Sequence, residues 1–151
     1  MPRTGALLSL SREHHTSLVV ARNARRAASE NEHDIAARSA AIAAALASME
    51  AHWHRLMAAH IEQEERLIRI AADTLDPDSV ARILADHTEL RTLVGGPCLF
   101  EPAARLRRFA DLTIAHVRYE ERIFFPKLQS HPRLAAASGA AFAPALSNPE
   151  R

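Results

Sequence analysis

The feature that most restricts the fold of this chain is a nine-residue motif that occurs twice, at residues 60–68 and at residues 116–124. In each copy a histidine precedes a glutamate by four residues, as His60 precedes Glu64 and His116 precedes Glu120. On an α-helix this spacing brings both side chains to one face, one turn apart, where an imidazole and a carboxylate can bind one metal ion. The repeated motif therefore predicts two helices that carry metal ligands, for two metal ions or for one shared site.

The composition of the 151-residue chain is that of one globular domain, because 48% of its residues are hydrophobic and 25% are charged. A formal net charge of +1 provides no strong field for nucleic acid, and the single cysteine, Cys98, argues against disulfides and thiolate zinc clusters. No stretch approaches the roughly 20 apolar residues of a membrane span, and the N-terminal apolar run is too short for a signal peptide. We therefore expect a cytoplasmic protein that binds neither membranes nor nucleic acid.

The chain is expected to be helical nearly throughout, because glycine is scarce, alanine is abundant and the alternation typical of β-strands is absent. We predict an all-α protein with four long helices at about residues 7–29, 34–73, 79–94 and 102–125. Asp34 is the predicted N-cap of the second helix, and Pro126 is predicted to kink or end the fourth. Short loops favour an antiparallel up-down-up-down four-helix bundle.

Two domain assignments follow from this pattern. Residues 1–130 are predicted to form the bundle. Residues 131–151, rich in alanine, serine, glycine and proline, are predicted to form a short extra helix or a loosely ordered tail.

Projecting each helix at about 100° per residue predicts which of its polar side chains face the interior. His60 and Glu64 lie on the apolar stripe of the second helix, and His116 and Glu120 lie on that of the fourth. The third helix has one histidine on its stripe, His87.

The first helix offers two neighbouring histidines, His14 and His15. The apolar stripe of this helix is centred close to His14, whereas His15 shares its side with Arg12, Arg22 and Arg26. We favour His14 as the inward residue and keep His15 as the alternative.

The same projection assigns other side chains to the core or to the surface. Predicted core residues include Ile35, Met49, Trp53, Met57, Leu84 and Ile123. Predicted surface or loop residues are His33, His52, His54 and His131, together with Glu65 and Glu121, which follow the inward glutamates.

Buried carboxylates at Glu64 and Glu120 need compensation, because an unpaired buried charge costs several kcal/mol. Metal cations held by the four inward imidazoles would supply it. The alternative is a structural network in which the two glutamates pair with buried Arg91 or Arg105.

The predicted ligands resemble those of the hemerythrin-like, HHE cation-binding domain over about residues 7–130. The residues that carry the resemblance are His14 or His15, His60-x-x-x-Glu64, His87 and His116-x-x-x-Glu120.

The resemblance implies a four-helix bundle with a non-haem di-iron centre, in which Glu64 and Glu120 bridge the two irons and an oxo or hydroxo group adds a further bridge. One iron would take His60 and the other His116. The remaining two histidines would complete the shells, and zinc is a substitute for iron with the same ligands.

The chain departs from the oxygen-carrying hemerythrins at Arg91. Those proteins have a further histidine one turn after the residue matched by His87, so the four histidines here instead resemble the subgroup similar to iron–sulfur repair proteins that answer nitric oxide stress. Arg91 could hold an anion near an open coordination position or pair with a bridging carboxylate. Tyr119, at the edge of the stripe, could hydrogen-bond to the site or simply pack.

We therefore expect a di-iron protein that binds or reacts with dioxygen, peroxide or nitric oxide, in sensing, detoxification or iron handling, as a monomer or homodimer. Whether the site turns over is left open. One alternative is a metal-storage or iron-delivery module without turnover; others are a zinc bundle and a purely structural bundle. A ferritin-like oxidase would need Glu-x-x-His pairs on two helices, and only Glu30 and His33, in a predicted loop, have that spacing.

Overall fold

A computed structural model of the chain describes residues 3–134, and this part of the chain is helical and contains no β-strand. The prediction of an all-α protein is confirmed. No helix in this range is long and apolar enough to cross a lipid bilayer. The α-helices are α1 (Gly5–Ser29), α2 (Ile35–His52), α3 (Ala58–Ala71), α4 (Pro77–Leu90), α5 (Pro102–Tyr119) and α6 (Phe125–Gln129).

Three five-residue π-helical turns adjoin these helices. Trp53–Met57 joins α2 to α3, Arg91–Gly95 extends α4, and Glu120–Phe124 joins α5 to α6. The chain is therefore helical without a break over residues 35–71, 77–95 and 102–129, close to the predicted ranges. Each π-turn lies within one turn of a predicted ligand, and such turns are frequent at functional sites.

The helix starts follow from local capping. The Asp34 carboxylate accepts a hydrogen bond from the Ala37 backbone N–H at 3.0 Å, so the predicted N-cap is confirmed. Asp76 caps α4 in the same way through the N–H of Ser79.

Of the two predicted effects of Pro126, a kink or an end of the fourth helical stretch, the end at this residue is wrong. Pro126 lies in the first turn of α6, and the helix continues to Gln129. Pro126 lies just after the π-turn Glu120–Phe124, where the regular α-helical hydrogen-bond pattern is already interrupted, so the missing N–H of proline does not end the helix.

Within residues 3–134 the apolar core consists of two clusters. One includes Met49, Leu93 and Phe109, and the other includes Phe124 and Leu128. Along α1, α3, α4 and α5 the predicted ligands fall between residues of the two clusters, so the polar cluster lies between two apolar ones.

Packing continues past the predicted boundary at residue 130. Leu134 is buried in the second apolar cluster, and His131 is buried too. Residues 135–151 lie outside the described residues, so the prediction of a short helix or a loosely ordered tail stays a prediction for them.

Three side chains predicted in the core are exposed: Ile35, Leu84 and Ile123. Ile123 lies within the π-turn Glu120–Phe124, where each residue advances by less than the 100° of an α-helix, so Phe124 takes the buried position. Ile35 begins α2, and Leu84 lies beside Ile83, which is the buried residue of that turn. The predicted burial of Met49, Trp53 and Met57 is confirmed.

Candidate metal centre

The six predicted site residues are buried together in the interior. Glu64 and Glu120 expose only 1% and 0% of their surface, and all four histidines are buried as well. His14 is buried whereas His15 is exposed, so His14 is the inward residue of this pair. Helix α1 supplies His14, α3 supplies His60 and Glu64, α4 supplies His87, and α5 with its π-turn supplies His116 and Glu120.

Glu64 lies between two pairs of histidines. Its Oε2 atom is 2.9 Å from His60 Nε2 and 3.6 Å from His14 Nε2. Its Oε1 atom is 2.9 Å from His87 Nε2 and 3.9 Å from His116 Nε2. The two oxygens of one carboxylate thus face different pairs of imidazoles.

Glu120 approaches one histidine of each pair. Its Oε1 atom is 3.0 Å from His14 Nε2 and 3.1 Å from His116 Nε2. These contacts are not aligned as hydrogen bonds: within residues 3–134, both Glu120 oxygens and His14 Nε2 are buried without a hydrogen-bond partner. Buried polar atoms almost always have such a partner, so a cluster of buried nitrogen and oxygen atoms without hydrogen bonds requires an explanation.

The predicted arginine network is absent from the described part of the chain. The ion pairs recorded there for Glu64 and Glu120 are all with histidines. Arg105 instead donates to the Leu93 carbonyl at 2.6 Å and pairs with Glu50.

The donor atoms form two overlapping groups that share both glutamates. Within each group the ligand atoms lie within 4.8 Å of one another. Imidazole nitrogens and carboxylate oxygens suit iron and zinc, and a cation would use the lone pairs that no hydrogen bond occupies. The residues therefore fit two metal ions. The groups are His14, His60, Glu64 and Glu120, and Glu64, His87, His116 and Glu120.

Each of the four histidines contacts a second, outer carboxylate through its other ring nitrogen, Nδ1. Because an ionised carboxylate only accepts, each Nδ1–H donates and Nε2 is directed to the interior, where it could bind a cation after losing its own proton. Metal-ligating histidines are commonly oriented by such outer carboxylates. The contacts are His14 with Glu121 at 2.6 Å, His60 with Glu13 at 2.8 Å, His87 with Glu65 at 2.8 Å and His116 with Asp86 at 2.9 Å.

Glu65 and Glu121 were predicted on the surface; both are partly buried instead, and each accepts a hydrogen bond from a histidine. Each lies about 100° around its helix from the inward glutamate before it, and this direction faces the adjacent helix, where a histidine presents Nδ1. Glu13 and Asp86 were not predicted at all. A signal for them exists, because every outer carboxylate directly adjoins a predicted ligand in the sequence.

Arg91 contacts an outer carboxylate, not a bridging one. Its guanidinium donates to both oxygens of Glu65, at 3.0 and 2.9 Å, and the same carboxylate contacts His87. The Tyr119 hydroxyl donates to the Ser79 hydroxyl at 2.7 Å, and the Arg82 guanidinium lies over the Tyr119 ring. These contacts join Tyr119 to α4 and not to the candidate ligands.

Two histidines assigned to the surface or to loops are buried, whereas His33 and His54 are exposed as predicted. His52 Nε2 lies 2.9 Å from the buried Ser17 hydroxyl, and burial lowers the pKa of His52. His131 Nδ1 accepts the Arg133 backbone N–H at 3.1 Å. The assignment of His52 is wrong, because the Ser17 side chain that meets it lies on another helix and could not be recognised from one helical projection. His131 lies outside the helices, in keeping with its assignment to a loop, but it is buried there.

Burial and neighbouring charges strongly shift the pKa values of His14 and Glu64. Burial lowers the pKa of His14, but Glu120, Glu121 and Glu64 outweigh burial and raise it to about 11. Burial raises the pKa of Glu64, but His60, His116 and His14 outweigh it and hold this pKa well below its ordinary range. In the metal-free protein, protonated histidines therefore neutralise ionised Glu64.

We expect the metal-free protein to lose stability as the pH rises from 6.5 to about 11. The pKa of His14 increases from 6.5 to about 11 on folding, so its contribution is fully present below pH 6.5 and is lost as the pH passes the folded value. The lowered pKa of Glu64 acts on the acid side, where its contribution is lost as the pH falls below 4.5. The urea midpoint of chelator-treated protein should therefore fall between pH 6.5 and pH 10 or so, and less steeply in His14→Gln; a constant or rising midpoint contradicts this assignment.

Comparison with known proteins identifies no relative: no protein-family model, curated protein or solved structure matches this chain. Any functional interpretation therefore depends on the geometry of the site and on the sequence motifs.

Proposed function

We propose that this chain is a hemerythrin-like protein whose non-haem di-iron centre binds or reacts with dioxygen, peroxide or nitric oxide. The observation that carries the proposal is the position of Glu64, whose two oxygens face different pairs of imidazoles. Glu120 adds a second carboxylate common to both groups, with two oxygens that lack hydrogen-bond partners in the described structure. A pair of cations accounts for both features, whereas a hydrogen-bonded structural network would satisfy its buried polar atoms.

The proposal includes the antiparallel up-down-up-down bundle. Ser11 and Arg25 of α1 contact Glu121 and Asp111 of the helical stretch 102–129. Residue numbers rise along α1 while those of its partners fall, so the two helices run in opposite directions. This order supports antiparallel neighbours joined by short loops. The same order relates α4 to α5, where Asp86 contacts His116 and Glu89 contacts Arg108.

The outer carboxylates support closure of the four helical stretches around one interior. Each stretch supplies the carboxylate for the histidine of the next stretch, and the fourth returns to the first. In chain order these contacts run from Glu13 to His60, from Glu65 to His87, from Asp86 to His116 and from Glu121 to His14.

In this proposal the protein orients the ligands and excludes water. The outer carboxylates hold each imidazole with Nε2 directed inward. Phe125 stacks on His14 with ring centroids 5.2 Å apart, and the apolar clusters lie on either side of the site. The imidazoles must release their Nε2 protons when a cation binds, so metal affinity should rise with pH.

Iron is the proposed metal because a mixed imidazole and carboxylate set suits it, and two irons would supply redox chemistry toward small oxidants. Zinc binds the same donors and is the expected substitute. Arg91 occupies the position at which oxygen-carrying hemerythrins have a fifth histidine, and its guanidinium binds Glu65. We therefore propose reaction or sensing in preference to reversible oxygen storage.

The proposed reactivity is tested by loading chelator-treated protein with ferrous iron under nitrogen and recording optical spectra after separate additions of dioxygen, hydrogen peroxide and nitric oxide. We expect a new absorption band with at least one of them, absent from zinc-loaded protein. Iron-loaded protein whose spectrum responds to none of the three, and which does not consume peroxide, would instead fit a storage or delivery module.

A further inference from the structure

Two of the four outer carboxylates are themselves held by arginines. Arg91 binds both oxygens of Glu65, at 3.0 and 2.9 Å. Arg3 lies 3.5 Å from Glu121 Oε1, and the Ser11 hydroxyl donates to its Oε2 at 2.8 Å. Both supported carboxylates are the second glutamates of the repeated motif.

Glu65 and Glu121 serve different metal groups. Glu65 contacts His87, which belongs to one group, and Glu121 contacts His14, which belongs to the other. Glu64 and Glu120 belong to both groups, so the groups differ only in their histidines and in the outer carboxylates that contact those histidines.

Arg91, Glu65 and His87 form a continuous chain of contacts. The guanidinium fork engages both carboxylate oxygens, and Glu65 Oε2 also accepts from His87 Nδ1 at 2.8 Å. His87 Nε2 then lies 2.9 Å from Glu64 Oε1. A two-point Arg–carboxylate pair fixes the carboxylate plane, so Glu65 can orient the imidazole only in one direction.

We propose that Arg91 is a positioning residue which, through Glu65, holds His87 ready for the metal ion of its own group only. This inference rests on the proposed di-metal function and extends it. In each copy of the motif the histidine would bind a metal ion, the first glutamate would bridge two, and the second glutamate orients a histidine of a neighbouring helix.

Whether removal of Arg91 weakens or strengthens metal binding distinguishes a positioning role from a purely electrostatic one. A nearby positive charge repels a metal cation, so removal of Arg91 would strengthen metal binding if charge alone mattered. If Arg91 acts by orienting His87, its removal weakens metal binding. Loss of an outer partner typically costs about 10–100-fold in metal affinity.

The test compares the parent with Arg91→Gln, Glu65→Gln and the double variant, each treated with chelator and titrated anaerobically with ferrous iron. We expect two irons in the parent, and in Arg91→Gln one site weakened by about tenfold while the other is unchanged. The double variant should bind no more weakly than Glu65→Gln alone, because Arg91 acts only through that carboxylate.

Arg108→Gln is the matched control. Arg108 also binds both oxygens of a glutamate on α4, Glu89, and is 46% exposed compared with 42% for Arg91. No contact between Glu89 and a histidine is recorded in the described structure. Because Arg108 holds no carboxylate that orients a candidate ligand histidine, this substitution should weaken neither iron site.

A second readout follows the geometry directly. In zinc-loaded protein the Nδ1–H of His87 should give a downfield proton signal that shifts in Arg91→Gln and persists in Arg108→Gln. If Arg91→Gln fails to fold, Arg91→Lys keeps the charge without the two-point contact and should show the same selective weakening.

The inference is overturned if the iron affinities of the Arg91 variant equal or exceed those of the parent, if both sites weaken equally, or if Arg108→Gln has the same effect. A parent that binds no metal would instead refute the proposed function, and this inference with it.

Discussion

Glu64→Gln is expected to abolish binding of both metal ions at concentrations that saturate the parent protein. Glu64 faces His60 and His14 with one oxygen and His87 and His116 with the other. Glutamine has nearly the same shape but carries no charge, and its amide group would turn N–H donors toward one pair of imidazoles. The loss should exceed the roughly 100-fold upper range for removal of an outer partner, and it should affect both sites.

Equilibrium dialysis with ferrous iron measures this loss, and circular dichroism tests whether the variant retains its helices. The matched control is Glu62→Gln, which makes the same substitution at an exposed position of the same helix and should bind iron like the parent. Two-iron binding by Glu64→Gln with parental affinity would exclude Glu64 as the shared bridge.

The second large effect is stabilisation by metal. A ligand that binds only the folded state at about a thousand times its dissociation constant adds about 4 kcal/mol, so two ions should add about 8 kcal/mol. For a domain of this size such a gain raises Tm by roughly 15–30 °C. Because neither group of ligands exists in the unfolded chain, chelator should reverse the shift completely.

Differential scanning calorimetry on chelator-treated and iron- or zinc-loaded protein measures the shift. The control is Glu64→Gln, whose Tm should respond little to added metal. If the parent and this variant are stabilised equally, the metal binds elsewhere on the surface and not among the buried ligands.

The burial of the six candidate ligands could be predicted from helical periodicity. A spacing of four residues on a helix brings His60 and Glu64, and likewise His116 and Glu120, to one face, and the apolar stripe indicates that this face points inward. Burial then resolves the choice between the neighbouring histidines of α1. Whether these residues bind metal is not decided by their burial and stays a prediction.

The outer half of the site could not be predicted, because it depends on how neighbouring helices face one another. A projection of one helix assigns Glu65 to the side, but only the position of α4 reveals that His87 meets it there. Ile123 was misassigned for a different reason: the projection assumes an unbroken α-helix, and nothing in the local sequence indicated the π-turn that contains it.

The proposed function requires that the buried histidines and glutamates hold two metal ions in each chain. Native mass spectrometry of the protein reconstituted with ferrous iron under nitrogen tests it most directly. We expect two iron ions per chain in the parent and none in Glu64→Gln. A parent protein that retains no iron, or only one ion, would contradict it.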